Sequence, residues 1–288
     1  MPRLLRSPIV HRDARCPALL PLAACLITAA LGLGDRHAYA QPYTLTTLAT
    51  FTGTNGSTPY AGLTLDGSGN LFGTTQFGGT SNKGTVFKIA VGTGGVVGGG
   101  ELTTLATFNS TNGANPIAGL TLDSSGNLFG TTQQGGTSGQ GTVFKIAAGT
   151  GGVVGGGALT TLATFNGVGN GANPYANLTL DGNGNLFGTT DGGGASNKGT
   201  VFKFSSATNT LTTLATFTGP NGVNPDGRLT LDSNGNLFGT TSAGGASGSG
   251  TVFKLTPAAA ATAPEPGALL LLAPGALGLL AARRRRAG

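Results

Sequence analysis

The 288-residue chain contains no tryptophan, one methionine, two cysteines and two histidines, and only 9% of it is charged. Both cysteines (Cys16, Cys25) and both histidines (His11, His37) precede residue 40. From residue 41 onward there is therefore no disulfide, no thiol nucleophile and no imidazole. That excludes Ser–His and Cys–His catalysis in this part of the chain, and a His/Cys metal centre with it. Positive charge is also scarce where a polyanion would need it. The formal charge is +6, but five of the sixteen basic residues lie in 1–40 and four are Arg283, Arg284, Arg285 and Arg286. Between 41 and 262, seven Lys/Arg stand against seven Asp/Glu. A neutral body without a basic patch argues against nucleic acid as a partner.

What the chain does contain is repetition. Pro59–Ile89 recurs as Pro116–Ile146, Pro174–Phe204 and Pro225–Leu255, and LTTLATF precedes each copy at 45–51, 102–108, 159–165 and 211–217. The matched Asp66, Asp123, Asp181 and Asp232 lie 57, 58 and 51 residues apart. Periods of this size indicate stacked supersecondary units. The repeats run over about 45–89, 102–146, 159–204 and 211–255, within a body spanning 41–256.

Each repeat offers four short runs of strand formers: AGLTLD, NLFGTT, GTVFKI and, from the next repeat, LTTLATF. Thr, Val, Phe and Leu favour pleated surfaces, and no run is long enough for a helix. Asp-Gly-Ser-Gly-Asn between the first two is a tight reversal. In Thr85–Ile89, Val86 and Phe87 point to opposite faces and both are apolar, as in a sheet covered on both sides. The expected fold is all-β: a four-bladed β-propeller of four-stranded antiparallel blades. Strand 45–51 is expected to pair with 251–255 and close the ring, removing the open edge. The rivals are a half-ring that pairs into an eight-bladed dimer and a β-solenoid. The Gly-rich inserts at 91–100 and 148–157 fit no phosphate-binding pattern and read as flexible outer loops.

The two ends carry addresses. Residues 1–40 read as a signal peptide with a helical core: Arg3, Arg6, Arg12 and Arg15, an apolar run, then Ala38-Tyr39-Ala40 before Gln41 as the cleavage site. Leu22-Ala23-Ala24-Cys25 is a competing lipidation signal. Residues 257–266 form a linker with Pro264-Glu265-Pro266, and 267–288 hold an apolar segment and the Arg cluster. Its fifteen apolar positions, 268–282, would span about 22 Å as a transmembrane helix, short of a roughly 30 Å hydrocarbon core. Snorkelling arginines compensate, and they hold that end in the cytoplasm.

Pro264-Glu265-Pro266, the apolar span and the terminal arginines together resemble the PEP-CTERM sorting signal of exopolysaccharide-secreting bacteria. The resemblance implies export through the Sec translocon, transient membrane anchoring, cleavage near Glu265 by an exosortase-type enzyme, and a place at the cell surface or outside the cell. The repeats resemble the Gloeo/Verruco (GloVer) repeat, on the pattern N-P-Y-A-N-L-T-L-D-G-N-G-N-L-F-G-T-T…G-T-V-F-K at 173–203. That resemblance brings an architecture without a reaction.

Few residues are left for chemistry. The fourfold Asp set is accounted for by its turns, and Asp181-x-Asn183-x-Asn185 lacks the glycine and the closing glutamate of a calcium loop. No catalytic residue, metal ligand or cofactor is therefore assigned. Binding is expected where the repeats disagree: Tyr60, Tyr175 and Asp226 after the shared proline, Asn177 and Arg228 two residues on, and Gln76, Gln133 and Asp191 after G-T-T. Such side chains suit sugar hydroxyls, with aromatic faces for stacking. The expected function is a non-enzymatic binding or scaffold role at the surface or in the matrix, with polysaccharide as the candidate partner. The alternative is a polysaccharide hydrolase or lyase that uses carboxylates such as Asp191 and Asp226.

Overall fold

The computed structural model describes residues 43–258, which divide after Thr46 into two units, the second holding every strand. The signal peptide with Ala38 and Ala40, the linker motif Pro264–Pro266, the apolar tail and Arg283–Arg286 lie outside the described residues, as do both expected terminal helices. Among the described residues no helix is long and apolar enough to cross a membrane.

The chain is all-β, folded into four consecutive antiparallel sheets. Sheet 1 holds β1 (Thr64–Leu65), β2 (Leu71–Thr75), β3 (Thr85–Ile89) and β4 (Leu102–Thr107). Sheet 2 repeats this with β5 (Thr121–Leu122), β6 (Leu128–Thr132), β7 (Thr142–Ile146) and β8 (Leu159–Thr164). Sheet 3 has β10 (Thr179–Leu180), β11 (Leu186–Gly192), β12 (Thr200–Ser205) and β13 (Thr210–Thr216), with the short β9 (Ala172–Pro174) paired to β11. Sheet 4 has only β14 (Thr230–Leu231), β15 (Leu237–Thr241) and β16 (Thr251–Leu255).

The repeated residues set the register. Asp66 Oδ1 accepts from the backbone N–H of Ser68 and Asn70, and its Oδ2 accepts from Asn70 Nδ2 at 2.8 Å. The same three bonds recur at Asp123, Asp181 and Asp232. Next, G-T-T and G-T meet across the ladder: the Thr75 and Thr85 hydroxyls are 2.8 Å apart and buried. Glycine at the middle of LFGTT is required by packing. A methyl group on Gly130 would lie 2.6 Å from the Phe144 ring, which crosses the strand there.

The core lies between sheets. Phe72 and Val86 of sheet 1 pack with Leu120, Leu128, Phe144 and Ile146 of sheet 2, and the arrangement repeats across the next two seams. Phe108, just beyond the outer strand of sheet 1, stacks edge-on against Phe144 of sheet 2 at 5.1 Å. Phe165 meets Phe202, and Phe217 meets Phe253, in the same way. The innermost strands are tied too: Thr64 Oγ1 donates to the Leu120 carbonyl, Thr121 to Leu178 and Thr179 to Leu229. Burying apolar residues on both faces thus needs a neighbouring sheet on each side.

Two expectations are corrected. Strand 45–51 does not pair with 251–255: residues 45–51 form no strand and, among the described residues, sheet 4 keeps three strands, so the ring is not closed. The turn between neighbouring sheets decides closure, and a repeat's own pattern does not encode it. The Gly-rich inserts are folded rather than flexible outer loops. Each makes a short 3-10 turn, Thr93–Gly95 or Thr150–Gly152. Each then docks its end through Gly98 N–H to the Gly69 carbonyl, or Gly155 N–H to the Gly126 carbonyl. Gly98 and Gly155 sit so close to Leu71 and Leu128 that a methyl would fall 2.6 and 2.7 Å from those side chains.

Candidate functional site

Six of the eight divergent positions lie along one edge of the sheets, and Asn177 and Arg228 do not. The loop after G-T-T is bound to the run before the innermost strand: Gln76 N–H donates to the Thr58 carbonyl, Gln133 to Asn115 and Ser242 to Asn224, each at 3.0 Å. In sheet 3 the same seam is the β9–β11 ladder, with Thr190 opposite Pro174. Gln76 is thereby brought beside the Thr58–Tyr60 run, Gln133 beside Asn115–Ile117, and Asp191 beside Asn173–Tyr175. Tyr60 is 75% exposed and Tyr175 46%, so both rings are open to solvent.

The richest point on this edge is the junction of sheets 3 and 4. Asp191 lies next to the last residue of β11 and Asp226 in the run before β14, and a side-chain bond to Asp191 is among the influences on Asp226. Partial burial, then this bond and the Asp191 charge, push the Asp226 carboxyl up to about 6, against a weaker lowering by a bond from Ser242. Its surface remains largely exposed; a like charge nearby disfavours ionisation and raises the pKa. Asn224 Nδ2 donates to Asp191 Oδ1 at 2.6 Å and to its carbonyl at 3.3 Å. The Ser242 hydroxyl donates to the Asn224 carbonyl.

Asn224 is absent from the sequence-derived set. It precedes the shared proline and has φ 55°, as Asn115 and Asn173 have 56° and 54°. Asn-Pro is a turn signal, and asparagine tolerates the left-handed region better than most residues; that was the clue available.

The remaining expected residues have other surroundings. Asn177 Oδ1 accepts the Gly119 N–H at 2.8 Å, linking sheet 3 to sheet 2. Arg228 is exposed beside the innermost strands of sheets 3 and 4, next to Thr179–Leu180 and Leu229–Leu231. Of the repeated lysines, Lys88, Lys145, Lys203 and Lys254 each place Nζ 5.7–5.9 Å from the centre of a Phe ring on the adjacent strand. Among the described residues no cluster of His, Cys, Asp and Glu could hold a metal.

A second concavity, about 750 Å³, opens between sheets 3 and 4 at the end carrying the Asp turns. Phe187, Lys203, Leu214, Leu231, Asp232 and Pro257 line it. The corresponding space over sheets 1 and 2 is occupied by the Gly-rich inserts; the connection between β12 and β13 is short, and Pro257 lies against the Gly235 turn instead.

A family model described as the Gloeobacter/Verrucomicrobia repeat matches residues 37–154 and 96–264. No curated protein sequence matches significantly. Among solved structures, the extracellular domain of a one-component system from B. thetaiotaomicron is 13% identical, with a TM-score of 0.42, covering 67% of this chain and 21% of that one. A gluconolactonase from Xanthomonas campestris is 15% identical, with a TM-score of 0.42, covering 68% of this chain and 56% of that one. TolB from Acinetobacter baumannii is 14% identical, with a TM-score of 0.38, covering 68% and 43%. The chain thus spans between a fifth and somewhat over half of these proteins.

Proposed function

The chain belongs to the Gloeobacter/Verrucomicrobia repeat family, and on that premise we propose an exported, non-enzymatic repeat protein of the cell surface or extracellular matrix that binds polysaccharide. Its sheets act as propeller-type blades that hold one edge of variable loops toward the ligand. One observation carries this reading. Residues shared by all repeats are engaged in turns, ladders and the seams between sheets, whereas six of the divergent ones, Tyr60, Gln76, Gln133, Tyr175, Asp191 and Asp226, lie along one edge. That edge offers two exposed tyrosine rings, glutamines and a carboxyl pair, which suit stacking on sugar faces and bonding to hydroxyls. Tail processing is part of the proposal: the mature form should begin at Gln41 and end near Glu265, which an intact mass would check. Retention of the protein on the producing cell's own exopolysaccharide tests the ligand. Tyr60→Ala with Tyr175→Ala should weaken retention about tenfold, since each lost stacking contact costs roughly 0.5–1.5 kcal/mol; no retention of the parent protein would overturn the reading.

The Asp191–Asp226 pair favours a second reading, acid–base cleavage of a glycan. Glycosidase carboxyls stand about 5–9.5 Å apart, leaving room for the scissile bond and water. Asp191 is instead held by Asn224, and we read the pair as gripping a hydroxyl. Loss of a depolymerising activity in Asp226→Asn, with the fold intact, would reverse this preference.

A further inference from the structure

Sheets 1 and 4 each lack what the other kind of end supplies. Val86, Val143 and Val201 are fully buried, but their counterpart Val252 is 82% exposed. Phe72, Phe129 and Phe187 are buried, while Phe238 in the same position of sheet 4 is only half-buried. At the opposite end, Leu63 is 51% exposed where Leu120, Leu178 and Leu229 are 4%, 0% and 2%. One end of the row therefore shows an uncovered leading face, and the other an uncovered trailing face.

The backbone shows the same complementarity. In sheets 1–3 the central strand TVFK(I/F) takes LTTLATF as its outer partner, with Val86 opposite Ala106 and Lys88 opposite Thr103. Sheets 2 and 3 repeat that register, including the bulge after the valine. β16 has the same sequence and, among the described residues, no outer partner. Residues 45–51 have the same sequence as β4 and β8 and are in no strand. Yet Phe51 already stacks on Phe87 at 4.9 Å, as Phe108 stacks on Phe144. Leu48 lies by Leu71 and Gly98 as Leu105 lies by Leu128 and Gly155. Leu48 and Phe51 thus rest against sheet 1 as the outer strand of each sheet rests against the next.

We propose that a second copy of this chain completes sheet 4. Its segment 45–51 adds as the fourth strand on β16, Ala49 opposite Val252 and Thr46 opposite Lys254, and its sheet 1 covers Val252 and Phe238. The joint is head-to-tail, so two copies close a ring if each spans half a turn, and a longer closed or open assembly forms otherwise. Such an exposed edge strand is a template for pairing, and only this sequence repeats the fitting partner.

The test uses full-length chains. Ala49→Cys and Val252→Cys are made in separate, differently tagged copies and produced together. Directly opposed residues of an antiparallel pair lie within disulfide reach, so a covalent pair carrying both tags is expected under oxidation. Each single variant with the parent chain controls for Cys16 and Cys25. Val252→Asp, which alters a side chain already facing water, should keep the circular dichroism of the parent and shift its sedimentation to the monomer. Sedimentation of the parent as a dimer or larger supports the joint. A parent that sediments as a monomer at all concentrations overturns it. So does a disulfide that forms only within one chain carrying both cysteines, because the ring would then close on itself.

Discussion

Asp226 is where one residue departs furthest from the repeat. Its counterparts are Tyr60, Ile117 and Tyr175, so three sheets place a neutral side chain where sheet 4 places a carboxyl against Asp191. A carboxyl raised to about 6 when folded, and near 3.9 when unfolded, binds its proton more tightly in the native state. The associated stability is present in full below pH ~4, is lost as pH rises toward 6, and is absent above that. Asp226→Asn removes the repulsion without the titration. The variant and the parent should melt together at pH 4, and the variant should melt higher by about 1–3 °C at pH 8, a small figure because the group is largely exposed. Melts across pH 4–8 check this; a gap that is constant with pH would mean the two carboxyls do not share a proton. Asp66 has the opposite sign. Burial alone would raise it, but bonds from the Asn70 side chain, Asn70 and Ser68 backbone, with Lys88 nearby, hold it below the ordinary value. Its contribution is present at neutral pH and falls away in acid.

The inserts show how an element rich in glycine can still be specified. Valines flank the docking glycines: Val154 is partly buried against the core between sheets 1 and 2, and Gly155 takes φ 60° where only a side chain of hydrogen fits beside Leu128. Replacing 148–157 with a turn as short as the one joining β12 to β13 should uncover Leu105 and Leu128 and lower stability by about 2 kcal/mol, judged from the apolar area re-exposed. Urea unfolding measures it, and a neutral result would restore the reading of these inserts as mere loops. How much was legible follows the range of each interaction. The Asp turns, the four repeats and the strand runs were readable because their cause lies within a few residues. The variable positions were readable as a set, but their meeting was not: Asp191 and Asp226 are brought together by the seam between two sheets, and Asn224 acts through a backbone angle. The inserts misled because composition describes freedom, while the docking bonds and, in the second insert, Val154 remove it.

At the level of the whole molecule, each sheet is stabilised by its neighbours, so stability should vary along the row as it does in solenoids, where interfaces between adjacent repeats carry the cooperativity. Sheets 2 and 3 are covered on both faces; sheet 4 is covered on one and lacks an outer strand. Phe144 and Phe253 hold equivalent places, each stacked on a ring from the preceding sheet at 5.1 Å, but Phe144 is fully buried and Phe253 half-buried. Phe144→Ala should therefore cost about 3–5 kcal/mol, the range for a buried ring, and loosen the seam between sheets 1 and 2. Phe253→Ala should cost roughly half of that and loosen only the end. Both are made in the Val252→Asp background, so that association does not mask the end sheet. Amide exchange resolves the difference. In the Phe253 variant, β15 and β16 should lose protection while β6 and β7 keep theirs, because local opening follows local burial. In the Phe144 variant protection should fall in sheets 1 and 2 together, the two whose seam it fills. Equal loss everywhere in both variants would mean that the four sheets unfold as one block, and that uncovered faces at the ends carry no energetic consequence.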